Sequence, residues 1–131
     1  MNHKHWQAVF WVAAAYNFLA GLPPLLAPTL SAANSGLPPL DPQHVILVQI
    51  MGLLICVFGI GYAMAASGSP AARQIVTLGL IGKAGVCLLV TWHLAATGVP
   101  TSMLYAAAGD FLFTIAFVLF LARATGPSSV S

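Results

Sequence analysis

Four long apolar stretches constrain the fold of this chain more than any other feature. They run from 8 to 27, 45 to 66, 75 to 96 and 103 to 122. A helix needs about 20 apolar residues to cross the roughly 30 Å of hydrocarbon in a bilayer, because each residue adds about 1.5 Å. The stretches are continuous and lack the apolar-polar alternation of membrane barrel strands. The sequence therefore predicts an all-α protein with four membrane-spanning helices.

The composition excludes a water-soluble domain. Of the 131 residues, 60% are hydrophobic and 5% are charged, whereas soluble domains carry about 25% charged residues. The acidic residues are Asp41 and Asp110, and the four cations leave a formal net charge of +2. No basic run is long enough to follow a phosphate backbone. We expect the lipid bilayer to be a partner and nucleic acid not to be one.

The connections between the stretches predict one domain, residues 1–131. Prolines end the first stretch, since proline lacks the backbone N–H and clashes with the preceding helical turn. Short turns at 67–70 and 97–100 predict antiparallel neighbours and an up-down-up-down four-helix bundle. The longer connection, 28–44, contains several prolines and is predicted to be an ordered cap or interfacial turn.

The cations predict the orientation of the bundle. Lys4, Arg73 and Arg123 all fall on one side of a four-span arrangement, and Asp41 falls on the other. Because Lys and Arg are enriched in cytoplasmic segments, both termini are expected in the cytoplasm. For a bacterial chain, the membrane would be the inner one.

The first stretch has a second interpretation. Lys4 precedes an apolar run and small residues follow at 31–33, which is also the pattern of a cleaved signal peptide. The length of the run, and Tyr16 and Asn17 within it, favour a retained span.

Two charged residues lie where hydrocarbon makes charge costly. Lys83 is near the middle of the third stretch and Asp110 near the middle of the fourth, and helical rise puts them within about 6 Å of the same depth. Gly82 and Gly109 precede them, and small residues allow membrane helices to approach closely. The sequence predicts a buried ion pair, either a staple between two helices or a ligand site. Asn17 lies at a similar depth and is expected to hydrogen bond to it.

A second polar layer is expected nearer the outer face: His44, Gln49, His93 and Tyr105. Two facing imidazoles could hold a haem iron or, with a methionine, a metal ion. The spacings match no ligand motif, so we predict no metal site and no cofactor. Haem at His44 and His93 stays an alternative.

Residue types along the second and fourth stretches predict how they pack. The second has a face of small residues, which favours packing within the bundle over a dimer interface: Gly52, Cys56, Gly59 and Ala63. The fourth is rich in phenylalanine, which we expect to face lipid or a partner: Phe111, Phe113, Phe117 and Phe120. Without CxxC spacing, Cys56 and Cys87 are expected to be packing residues.

Several short strings carry a family resemblance. They are Tyr16-Asn17 ahead of a Gly-Leu-Pro turn, Gly59-Ile-Gly-Tyr62-Ala-Met-Ala-Ala, Leu78-Gly-Leu-Ile-Gly-Lys83 and Gly109-Asp110-Phe-Leu-Phe. With them the chain resembles a group of small bacterial four-span membrane proteins of unknown function and, more loosely, DoxX-like four-helix proteins. The resemblance implies that Asn17, Tyr62, Lys83 and Asp110 form the polar skeleton of the bundle. It implies no reaction.

Three functions fit these observations. The small size and the lack of a recognisable catalytic set favour an accessory or interaction subunit, which would bind another membrane subunit or a second copy. A transporter or channel for a small solute, ion or proton would use Lys83 and Asp110. A haem-, quinone- or lipid-binding redox protein would use His44 and His93.

An enzyme is disfavoured, because a satisfied ion pair is poorly available as acid or base. A pair that lines an open cavity would favour transport, and a sealed pair would favour the subunit.

Overall fold

The computed structural model describes residues 3–123, and this part of the chain is helical without strands. Four helices are long and apolar enough to cross a membrane, as the sequence predicts. A short helix lies between the first and second of them. The five helices are α1 (His3–Leu26), α2 (Pro28–Asn34), α3 (Pro42–Ala66), α4 (Ala72–Ala96) and α5 (Thr101–Arg123).

The helices begin two to five residues before the apolar stretches, because polar residues form their first turns. The expectation that prolines end the first helix was wrong for Pro23 and Pro24, which lie inside α1. The carbonyl of Pro23 still accepts a hydrogen bond from the Ala27 N–H at 2.8 Å. Pro28 occupies the first turn of α2, where a missing N–H costs nothing.

The connection between α1 and α3 is ordered by α2 and by a helix cap. Ala32 of α2 is buried, and the carbonyl of Ser35 accepts a hydrogen bond from the Ser102 hydroxyl of α5 at 2.9 Å. Asp41 caps α3 by accepting hydrogen bonds from the N–H groups of Gln43 and His44 at 3.0 and 2.9 Å. Such caps satisfy donors that the first helical turn leaves unpaired.

Small residues bring α1 and α3 into close contact. A methyl group on Gly21 would lie 2.7 Å from the carbonyl oxygen of Gly52, and one on Gly59 would lie 3.3 Å from the Asn17 Cβ. Cys56 is buried in the same seam. The small-residue face of the second span therefore packs within the chain, as expected.

An aromatic cluster packs the end of the bundle where α1 begins and α5 ends. The rings of Trp6 and Phe10 lie against that of Phe120, with centroids 5.2 and 5.0 Å apart. We define the aromatic cluster as Trp6, Phe10, Tyr62, Phe113, Phe117 and Phe120.

The expectation that the phenylalanines of the last span face outward was wrong for three of the four. Phe117 is fully buried, and Phe113 and Phe120 pack against the core. These three residues are spaced by four and three positions, so they share one helix face. Phe111 lies off that face and is 56% exposed.

Candidate functional site

A lysine and an aspartate form an ion pair in the middle of the bundle. The Nζ of Lys83 on α4 lies 2.6 Å from Oδ1 of Asp110 on α5, and their side chains are 7% and 14% exposed. This is the ion pair that the sequence predicts. In an apolar surrounding neither charge is tolerable alone, so each stabilises the other.

Asn17 completes the polar group from α1. Its Oδ1 accepts a hydrogen bond from Lys83 Nζ at 3.1 Å, while its Nδ2 donates to the carbonyl of Ile55 at 3.0 Å. The second bond fixes which end of the amide faces the lysine. Asn17 thus lies where the sequence places it, and it links α1, α3 and α4.

Three aromatic rings surround the lysine ammonium group. Nζ lies 5.1 Å from the ring centres of Tyr16 and Phe113 and 5.6 Å from that of Tyr62. These distances suit cation-π attraction, which is stronger where water is excluded. The rings therefore add to the stabilisation of Lys83 that Asp110 and Asn17 provide.

Two glycines make room for the tyrosines. A methyl group on Gly109 would lie 2.7 Å from Cε2 of Tyr16, and one on Gly79 would lie 2.7 Å from Cε1 of Tyr62. The Tyr16 hydroxyl also donates to the carbonyl of Ala106 at 2.7 Å.

These contacts correct the role that the sequence suggests for the glycines beside the charges. They were expected to bring helix backbones together, but Gly109 accommodates a ring instead. A methyl group on Gly82 would meet only Phe58, 4.0 Å away, and one on Gly85 would meet nothing within 4 Å. α4 and α5 are neighbours in the bundle, but neither Gly82 nor Gly85 lies at a close contact between them.

The ion pair lines a cavity of about 700 Å³. Within the described part of the chain, its charged lining residues are Lys83 and Asp110, and Tyr16, Asn17 and Tyr62 lie beside them. The rest of the wall is mainly apolar, with serines from α2, from the residue after it and from the start of α5: Ala20, Pro24, Leu47, Ile50, Met51, Leu54, Val86, Val90, Met103, Ser31, Ser35 and Ser102. This volume is typical of small-molecule sites.

Exposed side chains form part of the cavity wall. Leu47, Met51 and Leu54 on α3 are 59%, 50% and 55% exposed, and Val86 on α4 is 39% exposed. Because these residues both line the cavity and face outward, the cavity opens to the surface of the bundle along α3 and α4.

The four residues expected in an outer polar layer lie in separate places. His44 pairs with Asp41, with Nδ1 2.7 Å from Oδ2, and Gln49 donates to the carbonyl of Leu25 at 3.2 Å. His93 and Tyr105 are exposed on α4 and α5. None of the four lines the cavity. The polar group that the structure brings together is instead the one around Lys83.

Sequence reasoning did not place Tyr16 and Phe113 beside the lysine. Tyr16 is adjacent to Asn17, and Phe113 follows Asp110 by three positions, so each shares a helix region with a residue that was singled out. Cys87 was expected to pack, and its thiol donates to the carbonyl of Ala107 at 3.4 Å.

Comparison of the chain with protein-family models, with curated proteins and with solved structures gives no match. The likeness to DoxX-like proteins therefore stays a prediction. Any functional conclusion depends on the geometry of the site itself.

Proposed function

We propose that this chain is a multi-pass membrane protein that binds and transports a small molecule, with Lys83 and Asp110 as its binding site. The observation that carries the proposal is that the buried ion pair lines an open cavity of about 700 Å³. A pair that served only to hold two helices together would not need such a space beside it.

The polar groups at the site keep unused hydrogen-bonding capacity. The Tyr62 hydroxyl and Oδ2 of Asp110 make no hydrogen bond within residues 3–123, and Lys83 uses two of its three donors. No fully buried side-chain nitrogen or oxygen in this range lacks a partner, so both oxygens keep some accessible surface. Both residues line the cavity. The Asp110 side chain is 14% exposed, so a ligand in the cavity can reach its free oxygen, whereas Tyr62 is only 1% exposed.

The packing beyond the ion pair favours a transporter over a channel. The aromatic cluster fills that end of the bundle, where Phe10 is 2% exposed and Val76 and Phe117 are fully buried. A channel needs a continuous path for its ion. A transporter instead presents its site to one side at a time, which agrees with a cavity closed at one end.

The proposed topology has both termini in the cytoplasm of a bacterial cell and the bundle in its inner membrane. Trp6 near the start of α1 contacts Phe120 near the end of α5, and Ala66 and Val76, beside the turn between α3 and α4, belong to the same core. These contacts support an up-down-up-down order with Lys4, Arg73 and Arg123 at one end. The excess of cations there favours the cytoplasmic side.

An accessory subunit is the competing proposal. It would use the ion pair as a staple and would be found bound to a larger membrane protein. We rank it second because the pair is beside an open cavity. A redox role for His44 and His93 gains no support, since neither lines the cavity.

Native mass spectrometry of the protein released from its own membrane tests the proposal. We expect a small bound molecule on the wild type and on Gly85→Phe, and its loss from Gly82→Phe. Gly82 lines the cavity, whereas Gly85 lies on the same helix outside it. A stoichiometric protein partner without a small molecule would overturn the proposal in favour of the subunit. Equal retention by both variants would show that the molecule binds elsewhere.

A further inference from the structure

The cavity also indicates the chemical class of its ligand. We infer that it takes an uncharged amphiphile, with a hydroxyl headgroup at Lys83 and Asp110 and one aliphatic chain along the apolar wall, entering from the bilayer along α3 and α4. This inference rests on the proposed function and specifies its ligand.

The charge at the site favours an uncharged headgroup. Lys83 and Asp110 are the charged lining residues among those described, and they compensate each other. An anionic or cationic headgroup would leave a net charge in an apolar surrounding, which is unfavourable. A hydroxyl group adds no charge.

A hydroxyl also matches the open hydrogen-bonding positions. Oδ2 of Asp110 can accept from it, and the remaining N–H of the Lys83 ammonium group can donate to it. An alcohol is both donor and acceptor, so one headgroup satisfies groups of both kinds. A ligand that only accepts hydrogen bonds would leave the carboxylate oxygen without a partner.

The remaining wall suits an aliphatic chain. Away from the ion pair the wall is formed by Ala20, Pro24, Leu54, Val90 and Met103 among other apolar residues. The far end of the cavity has neutral serine hydroxyls, of which Ser102 already donates to the Ser35 carbonyl, whereas hydrogen bonds to the charged groups of the ion pair are stronger. The polar end of a bound amphiphile therefore belongs at Lys83.

The position of the opening indicates the route of entry. Leu47, Met51 and Leu54 are on a helix that is apolar enough to span the membrane, and they are about half exposed. These exposed apolar side chains face hydrocarbon when the helix spans a bilayer. A ligand dissolved in the membrane thus reaches the cavity without crossing water.

Photolabelling in phosphatidylcholine nanodiscs tests the inference. The probe is hexadecanol with a photoreactive diazirine in its chain, and the competitors are hexadecanol, hexadecyl sulfate and hexadecyltrimethylammonium. We expect the label on cavity-lining peptides of α3 and α4, with the alcohol competing about tenfold better than either ion, as a charge penalty of about 1.4 kcal/mol or more implies. Equal competition by a charged compound would overturn the inference and leave the proposed function standing.

Paired variants show whether the label reports the cavity. Gly82→Phe should lose the label and Gly85→Phe should retain it. Val86→Trp and Leu89→Trp form a second pair, because Val86 lines the cavity and Leu89 is exposed outside it. A cavity variant counts as folded when it elutes from size exclusion like the wild type. Label that persists in folded Gly82→Phe and Val86→Trp would overturn the inference. If native mass spectrometry also finds no bound molecule, the proposed function fails with it.

Discussion

Asn17 holds Lys83 from one helix while Asp110 holds it from another. The amide oxygen lies 3.1 Å from the ammonium nitrogen, and the amide nitrogen of the same side chain donates to the Ile55 carbonyl. The lysine is therefore positioned by α1 and α5 together, and α3 orients the amide. Loss of any one member is expected to destabilise the fold, because each removal leaves a polar atom without a partner in an apolar surrounding.

Replacement of Lys83 should destabilise the fold, because it leaves the Asp110 carboxylate unpaired in an apolar surrounding. Lys83→Met leaves Asp110 without its cation, and loss of one partner of a buried ion pair costs about 3 to 5 kcal/mol. We expect a strongly reduced yield of folded protein, measured by fluorescence-detected size exclusion and thermal unfolding in detergent. The double variant Lys83→Met with Asp110→Leu should recover part of the yield of folded protein. A double variant no more stable than the single one would contradict the ion pair.

The contribution of Asn17 can be separated from general helix packing. Asn17→Leu should lower the free energy of unfolding by about 1 kcal/mol, as for other hydrogen bonds between membrane helices. In a double-mutant cycle with Lys83→Met the two effects should be non-additive, since the residues share a bond. Gln49→Leu is the control, because Gln49 bonds the Leu25 carbonyl instead and should give additive effects. Additivity for Asn17 would contradict its contact with the lysine.

The fold was largely predictable because it depends on hydropathy. Long apolar stretches predict helices that are able to span a bilayer. Gly68 and Gly98 adopt positive φ angles of 87° and 81° in the two short turns. The depth of Lys83 and Asp110 follows from helical rise alone. These features depend only on the spacing of residues along the chain, so they can be predicted from the sequence.

The sequence-based predictions that were wrong concern the rotation of each helix about its own axis. The rotation of α5 determines which of its faces is buried. It places Phe117 in the core and Gly109 against Tyr16. The apolar residues are spread around these helices, so the sequence gives little periodic signal for one buried face. The cavity was unpredictable for the same reason, since its wall depends on which faces of the helices point toward one another.

Enlarging either packed glycine should destabilise the bundle. Gly109→Ala would crowd Tyr16 and Gly79→Ala would crowd Tyr62, and overpacking costs about 1 to 3 kcal/mol. Gly85→Ala, where nothing lies within 4 Å, should be neutral or slightly stabilising because alanine favours helix. Thermal unfolding in detergent measures all three. Equal effects at the three positions would argue against the ring contacts, whereas rescue of Gly109→Ala by Tyr16→Ala would support them.

The N-terminal cap of α3 should make the thermal stability of the protein depend on pH in the acidic range. Hydrogen bonds from the His44 backbone, more than those from its side chain or from Gln43, lower the pKa of Asp41. A carboxyl group with a lowered pKa in the folded state stabilises it above the unfolded value of about 3.9, and this contribution is lost as the pH falls. Because asparagine also caps helices well, only the charge of Asp41 is removed in Asp41→Asn. The wild type should therefore exceed Asp41→Asn slightly in thermal stability at pH 6, and the difference should shrink toward pH 3. The same narrowing is expected in a His44→Ala background, because the backbone N–H remains. A difference that stays constant with pH would show that Asp41 is not the titrating cap.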